Sequence, residues 1–108
     1  MAITMLLTYT GKNGAAKRFA EEMKASGTVE RIRAEEGNLR YDYYLSLDDP
    51  ETVLLVDSWA DQTALDVHHA SPMMGTIAAL REKNDLRMTA TRLLSDELAQ
   101  GDHSFIRS

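Results

Sequence analysis

The sequence predicts an α+β domain, a single antiparallel sheet of four strands in the order 4-1-3-2 with helices on one face. Three observations carry this. Four strand-like segments alternate with helical periodicities in the order β-α-β-β-α-α-β. The first and third strands are apolar on both sides (Leu6 against Ile3, Met5 and Leu7; Leu54 and Val56 against Val53 and Leu55), whereas the second and fourth alternate more cleanly. Doubly apolar strands belong at the centre of a sheet and alternating ones at its edges, which is the ferredoxin-like order. Finally, 108 residues make one domain, and its helices suffice to cover one sheet face, not both. A second copy of the sheet is the simplest cover for the other face, so a homodimer packed sheet to sheet is expected.

The elements follow in order. Ala2 to Tyr9 alternates as a strand, and Gly11-Lys12-Asn13-Gly14 breaks it, with Asn13 the expected N-cap. Ala15, Ala16, Phe19, Ala20 and Met23 recur at helical spacing. Gly27 interrupts that stripe, Val29 and Ile32 resume it towards Glu36, and Gly37 stops it. Asn38 to Leu47 is the clearest strand, with Leu39, Tyr41, Tyr43, Leu45 and Leu47 on one face and Asn38, Arg40, Asp42, Tyr44 and Ser46 on the other. Asp48-Asp49-Pro50-Glu51 is turn chemistry, and Thr52 to Trp59 completes a hairpin. Asp61 caps a short helix carrying Ala64, Leu65 and His68. Ser71 as N-cap with Pro72 in the first helical position starts another, whose apolar face is Met73 or Met74, Ile77 and Leu80. Leu86 to Leu94 is the last strand. The domain is thus expected over residues 1–94, with a polar tail over 95–108 that carries an apolar hook at Phe105-Ile106.

Composition narrows the function classes. The chain has no cysteine, which removes a disulfide framework, a thiolate nucleophile and Cys-ligated metal clusters. Twelve Lys and Arg against seventeen Asp and Glu give a formal charge of −5, a poor balance for nucleic acid or anionic membrane. No run approaches a membrane span and the first residues lack a basic n-region, so the chain reads as a soluble cytoplasmic domain. No phosphate-cradling glycine motif and no Gly-x-Ser-x-Gly is present. His68 and His69, as helical neighbours, point about 100° apart and cannot close on one ion; with His103 in the tail, no metal site is expected.

A few residues remain that could carry chemistry. His68 follows Ala64 and Leu65 by four and three residues, on the apolar face of its helix. An imidazole there is either a general base or a core histidine satisfied by a carbonyl. Trp59 ends the third strand just before that helix, as core or as an aromatic pocket wall. Tyr41, Tyr43 and Tyr44 are donors to a ligand or ordinary strand packing. Asn38 and Arg40 share a face at the strand entry, as ligand contacts or as turn residue and edge charge. Met73 and Met74 read as core filler before a cofactor box.

Three runs resemble the antibiotic biosynthesis monooxygenase domain. Gly37-Asn38-Leu39-Arg40-Tyr41 is similar to that family's Gly-x-x-x-Tyr strand entry, and Asp57-Ser58-Trp59 to its acidic-x-Trp, with Asp where Glu is usual. Ala64-Leu65-Asp66-Val67-His68 followed by Ser71-Pro72 is similar to its Ala-Leu-x-x-His and Ser-Pro. The likeness spans Ala2 to about Leu94 and implies a ferredoxin-like fold paired as a dimeric α+β barrel. It also implies a cofactor-independent monooxygenase of small aromatic or quinol-type substrates, using molecular oxygen without metal or flavin. In that scheme His68 is base or orienter, Asn38 and Tyr41 are hydrogen-bond donors, and Trp59, with Arg40 and Met73, lines the pocket. Haem-degrading relatives fit poorly, because the first strand has no Asn and Met73 to Ala78 contains no His. The run Gly37 to Asp42 is also similar to the strand entry of the isomerase that processes phosphorylated autoinducer-2, with Arg40 meeting a phosphate. A non-catalytic small-ligand binding module is the third reading.

Overall fold

The computed structural model describes residues 1–107. Its strands are β1 (Ile3–Thr10), β2 (Asn38–Leu45), β3 (Thr52–Trp59) and β4 (Arg87–Leu94), and its helices are α1 (Ala15–Ala25), α2 (Thr28–Arg33), α3 (Gln62–His69) and α4 (Met73–Lys83). A 3-10 turn at Gln100–Phe105 follows; Ser108, the last residue of the expected tail, lies outside the described residues. The strand order is β2-β3-β1-β4, antiparallel throughout, which is the order 4-1-3-2 read from the apolar patterning. Among the described residues, no helix is long and apolar enough to cross a membrane.

Cross-strand register sorts the side chains into two faces. Ile3, Met5, Leu7 and Tyr9 lie opposite Trp59, Asp57, Leu55 and Val53. This row meets the helices, and with Phe19, Met23, Ile32 and Leu65 it forms one core. The other face carries Leu6, Leu54, Val56 and, at the edges, Tyr44 and Leu93; among the described residues, the four α-helices pack on the opposite side. The helix layer sits over β1, β2 and β3 and reaches β4 only where Arg81 of α4 donates to Met88, so all eight β4 residues are exposed although the strand is fully paired to β1.

Several local expectations are corrected by the chemistry of the ends. Asn13 does not cap α1. It takes φ 57°, and Gly14 at φ 77° is the N-cap residue. The carboxylate of Glu51, far along the chain, accepts from the Gly14 N–H at 2.9 Å and supplies the missing oxygen. Likewise Pro72, not Ser71, is the N-cap residue of α4, and Ser71 Oγ is buried without a partner. Asp61 does cap α3, accepting from the Ala64 N–H at 2.9 Å.

The helical stripe that Gly27 interrupts resumes as α2, but ends at Arg33 rather than Glu36. Strand β2 stops at Leu45 rather than Leu47. Here Ser46 Oγ accepts from the Asp48 and Asp49 amides, and Asp49 accepts from the Glu51 N–H and the Thr52 hydroxyl, so side chains claim the backbone that a longer ladder would need. A bulge between Asn38 and Arg40 sets Asn38 opposite Trp59 and Arg40 opposite Ser58. These two therefore do not share a face, and Leu39 in the bulge is 59% exposed.

Gly37 is the hinge between the helices and β2. Its φ is +82°, and a Cβ there would meet Ala64 Cβ at 2.5 Å. Gly37→Ala is expected to cost about 2 kcal/mol or more, from left-handed strain and overpacking together. Urea unfolding checks this, and an unchanged midpoint would mean that α3 is not seated by this contact.

Candidate functional site

The helix-facing row of the sheet ends in two residues that an apolar core does not need. Asp57 occupies the inward position between Leu55 and Trp59 and is 4% exposed. Its Oδ1 accepts from the Trp59 indole N–H at 2.6 Å, so the buried indole is satisfied by a buried acid two residues away. Burial pushes the Asp57 carboxyl above the ordinary value of 3.8, while the Trp59 hydrogen bond and the nearby His68 and His69 pull it the other way.

Above Trp59 lies His68. The Asp61 cap fixes where α3 starts, and so which residues of the helix face inwards. His68 is 3% exposed, whereas His69 faces solvent. The imidazole stacks on the Trp59 ring, with centroids 4.6 Å apart at 26°. Its Nδ1 donates to Glu35 Oε1 at 2.8 Å. Glu35, in the turn after α2, is held there because Arg33 ties the end of that helix to β2, donating to the Tyr41 carbonyl from Nε and Nη2 at 3.0 and 2.9 Å. With the Glu35 carboxylate as acceptor, Nδ1 carries a hydrogen, and in the neutral ring the lone pair is then on Nε2. A buried histidine whose tautomer is set by a carboxylate is the arrangement that a general base requires.

Two phenols, Tyr41 and Tyr43, join the group, and a third, Tyr9, lies further along β1 against Phe19. Tyr41 is buried beside His68, with ring centroids 6.4 Å apart, and its hydroxyl lies 3.3 Å from that of Tyr43. Burial pushes the Tyr9 phenol up to about 12, and pushes those of Tyr41 and Tyr43 up as well. All three therefore remain protonated at neutral pH, with one of the Tyr41 and Tyr43 hydroxyls donating to the other. One transverse row of the sheet runs Tyr41, Asp57, Met5, Arg92. By that register Arg92 stands on the helix side of β4, and it is exposed.

Of the residues singled out in the sequence, the structure thus brings together His68, Trp59 and Tyr41. Asn38 is close by register, but its amide donates to the Arg40 and Ser58 carbonyls at 3.3 and 3.4 Å, stitching the bulge. Arg40 points to the other sheet face, where it donates to Asp42 at 3.0 Å and to the Tyr44 hydroxyl and lies over the Tyr44 ring. Met73 opens α4, packs half-buried against the core, and lines a surface cleft with Arg31, Pro72 and Thr76. Glu35 and Arg92 were not singled out, and Asp57 was noted only as the acid of the Asp57-Ser58-Trp59 run, without a role of its own. For Asp57 a signal existed, an acid at an inward position of an otherwise apolar strand. For Glu35, 33 residues from its histidine, there was none.

The raised Asp57 titration gives a stability prediction. A carboxyl that holds its proton more tightly when folded contributes stability that is complete below the ordinary value of 3.8 and is lost as pH rises through the folded value. Asp57→Asn keeps an oxygen for the Trp59 N–H and removes the titration. Urea midpoints taken from about pH 4 to about pH 7 should show the wild type losing stability relative to the variant. Parallel profiles would mean that Asp57 does not titrate in this range.

A four-stranded antiparallel sheet backed by helices, with a histidine, a tryptophan and an acid in its core and a second, partly exposed acid beside them, defines a ferredoxin-like α+β domain built around a polar centre. Residues 2–80 match the family model described as antibiotic biosynthesis monooxygenase, and the chain belongs to that family. It is 33% identical over 46 residues to the Bacillus subtilis (strain 168) protein named "Putative monooxygenase YcnE", a stretch covering 43% of this chain and 48% of that one. The alignment therefore spans about half of that relative. Among solved structures, the chain is similar to a "putative antibiotic biosynthesis monooxygenase" of Deinococcus radiodurans (TM-score 0.77, 19% identity, covering 93% of this chain and 97% of that one). It is also similar to SnoaB, a cofactor-independent oxygenase from Streptomyces nogalater (TM-score 0.73, 18% identity, 92% and 97%). At these identities the structural likeness establishes the fold alone.

Proposed function

We propose that the chain is a cofactor-independent monooxygenase that oxidises a small aromatic or quinol-type substrate with molecular oxygen, and that it works as a homodimer. The observation that carries this reading is the buried Glu35–His68 pair stacked on Trp59, in a chain of the monooxygenase family. The substrate lies on the helix side of the sheet, over the half-buried Met5 and Leu7 and beside the exposed β4. Nε2 of His68 removes an acidic proton from the phenol or activated carbon. The protonated phenols and Arg92 stabilise the resulting anion in a site of low polarity. That anion gives one electron to oxygen; the radical pair recombines as a peroxide, which collapses to a carbonyl with loss of water. One oxygen atom thus enters the product and the other leaves in water, and the substrate supplies all four electrons that reduce the oxygen molecule.

The second copy is supported by shape as well as by pattern. The radius of gyration is 15.2 Å, against about 13 Å for a self-contained chain of this length. The excess fits β4 and the tail standing away from the helices. Leu93, Leu94, Leu98, Phe105 and Ile106 are all 45–86% exposed, an apolar arm that a partner would cover.

A panel of quinols, anthrones and phosphorylated sugars, assayed aerobically and anaerobically, tests the reading. Oxygen-dependent turnover supports it. Turnover under strict anaerobiosis would favour the isomerase, and saturable binding without turnover the binding module. Arg40, on which the phosphorylated-sugar reading leaned, is engaged by Asp42 and Tyr44 on the opposite face, so the geometry lends that reading no phosphate contact near His68.

A further inference from the structure

A chain with a formal charge of −5 gathers four of its twelve Lys and Arg side chains around one cleft. The cleft, of about 480 Å³, lies between the loop entering α1 and the turn from α4 to β4. Lys12, Arg18, Lys83 and Arg87 border it, with Asp85 as the acid of the lining. Thr10 and Arg87, both in the lining, are cross-strand partners, whereas Trp59 pairs with Ile3 at the far end of β1. The cleft is therefore roughly 20 Å from the His68 stack, at about 3.3 Å per strand residue.

Gathered like charges repel, and an anion between them relieves the repulsion. Of the nearby carboxylates, Asp85, in the lining itself, makes no side-chain hydrogen bond or ion pair among the described residues, and it stands against four cations. Glu22 accepts from Lys83 and Asn84, which together hold it below the usual carboxylate range, and Glu51 caps Gly14. Lys12, Arg18 and Arg87 make no ion pair among the described residues.

Arg18 is nevertheless held in place. Its Nε donates to Asn84 Oδ1 at 3.0 Å, and Asn84, only 7% exposed, is itself locked because its amide donates to the Leu80 carbonyl and to Glu22, both at 2.8 Å. Bonding through Nε leaves both terminal nitrogens of the guanidinium as a fork, the geometry that takes two oxygens of one anionic group.

We infer that this cleft binds a small phosphate-bearing molecule, anchored on the Arg18 fork and flanked by Lys12 and Arg87. The overall acidity of the chain and the single compact cleft suit one phosphate or diphosphate group, not the backbone of a nucleic acid. The site is separate from the His68 centre and does not depend on the oxygenase reading.

The test is a titration of inorganic pyrophosphate, and separately phosphate, into the ¹⁵N-labelled full chain at fixed ionic strength. Saturable shifts confined to the residues around Lys12, Arg18 and Arg87 are expected. Arg18→Ala and Arg87→Ala should each weaken binding about tenfold to a hundredfold, the range for one charge-assisted hydrogen bond, whereas Lys24→Ala should leave it unchanged. Arg87 is exposed at a strand end, so its variant keeps the test open if Arg18→Ala unfolds. No saturable shift, shifts matched by sodium chloride, or wild-type affinity in both variants would overturn the proposal.

Discussion

His68→Ala is expected to lower turnover by about 10²- to 10⁴-fold, the usual contribution of a positioned general base, and to leave the dimer intact. The size of the effect follows from the site's construction. Glu35 holds Nδ1 and Trp59 holds the ring plane, so the Nε2 lone pair is fixed before substrate arrives. Removing the imidazole also strands the Glu35 carboxylate, whose side chain is 13% exposed. An unpartnered buried acceptor costs about 1–3 kcal/mol, which lowers the melting temperature without unfolding the core. Glu35→Gln separates the two effects. It keeps an oxygen facing Nδ1, so the fold loses less, while the bond that orients the imidazole is no longer charge-assisted. Its turnover should therefore fall between wild type and His68→Ala. Undiminished turnover in His68→Ala would show that the pair is structural and that the base lies elsewhere.

Replacing Leu6 or Leu54 with aspartate is expected to split the homodimer into monomers at micromolar concentration. Both residues lie on the sheet face opposite the helices, at the centre of the sheet, and Val56 and Leu93 flank them. In the proposed sheet-to-sheet pairing, a charge here would be buried against its own copy, a desolvation that costs several kcal/mol per ion. On a monomer the same aspartate would meet water and cost little. Sedimentation of wild type and variants distinguishes the two states. Deleting residues 101–108, which removes Phe105 and Ile106, should weaken the dimer without abolishing it. A wild type that sediments as a monomer would defeat the dimer outright.

The sheet was legible in the sequence because burial on two faces leaves a local mark. Leu6 and Leu54 break the alternation of their strands, and that alone places β1 and β3 inside and β2 and β4 at the edges. The ends of elements were less legible wherever the decisive partner is distant. Asn13 looked like a cap because the Glu51 carboxylate that does the work is 37 residues away. Asn38 and Arg40 looked like neighbours on one face because a bulge leaves no signature in a run of five residues. The centre of the candidate site divides in the same way. Helical spacing placed His68 and strand spacing placed Trp59, but Glu35 reaches the imidazole only through the packing of α2 against β2. The polar core was half visible in the sequence, and the half that gives the histidine a direction came from tertiary structure.

The most direct measurement is a turnover under ¹⁸O₂ with chelator-treated protein and a quinol or anthrone, followed by mass spectrometry of the product. One labelled oxygen atom is expected in the product, the second is recovered as labelled water, and both are lost together in His68→Ala. Product formed with unlabelled oxygen from solvent, or at full rate without oxygen, would contradict the proposed function.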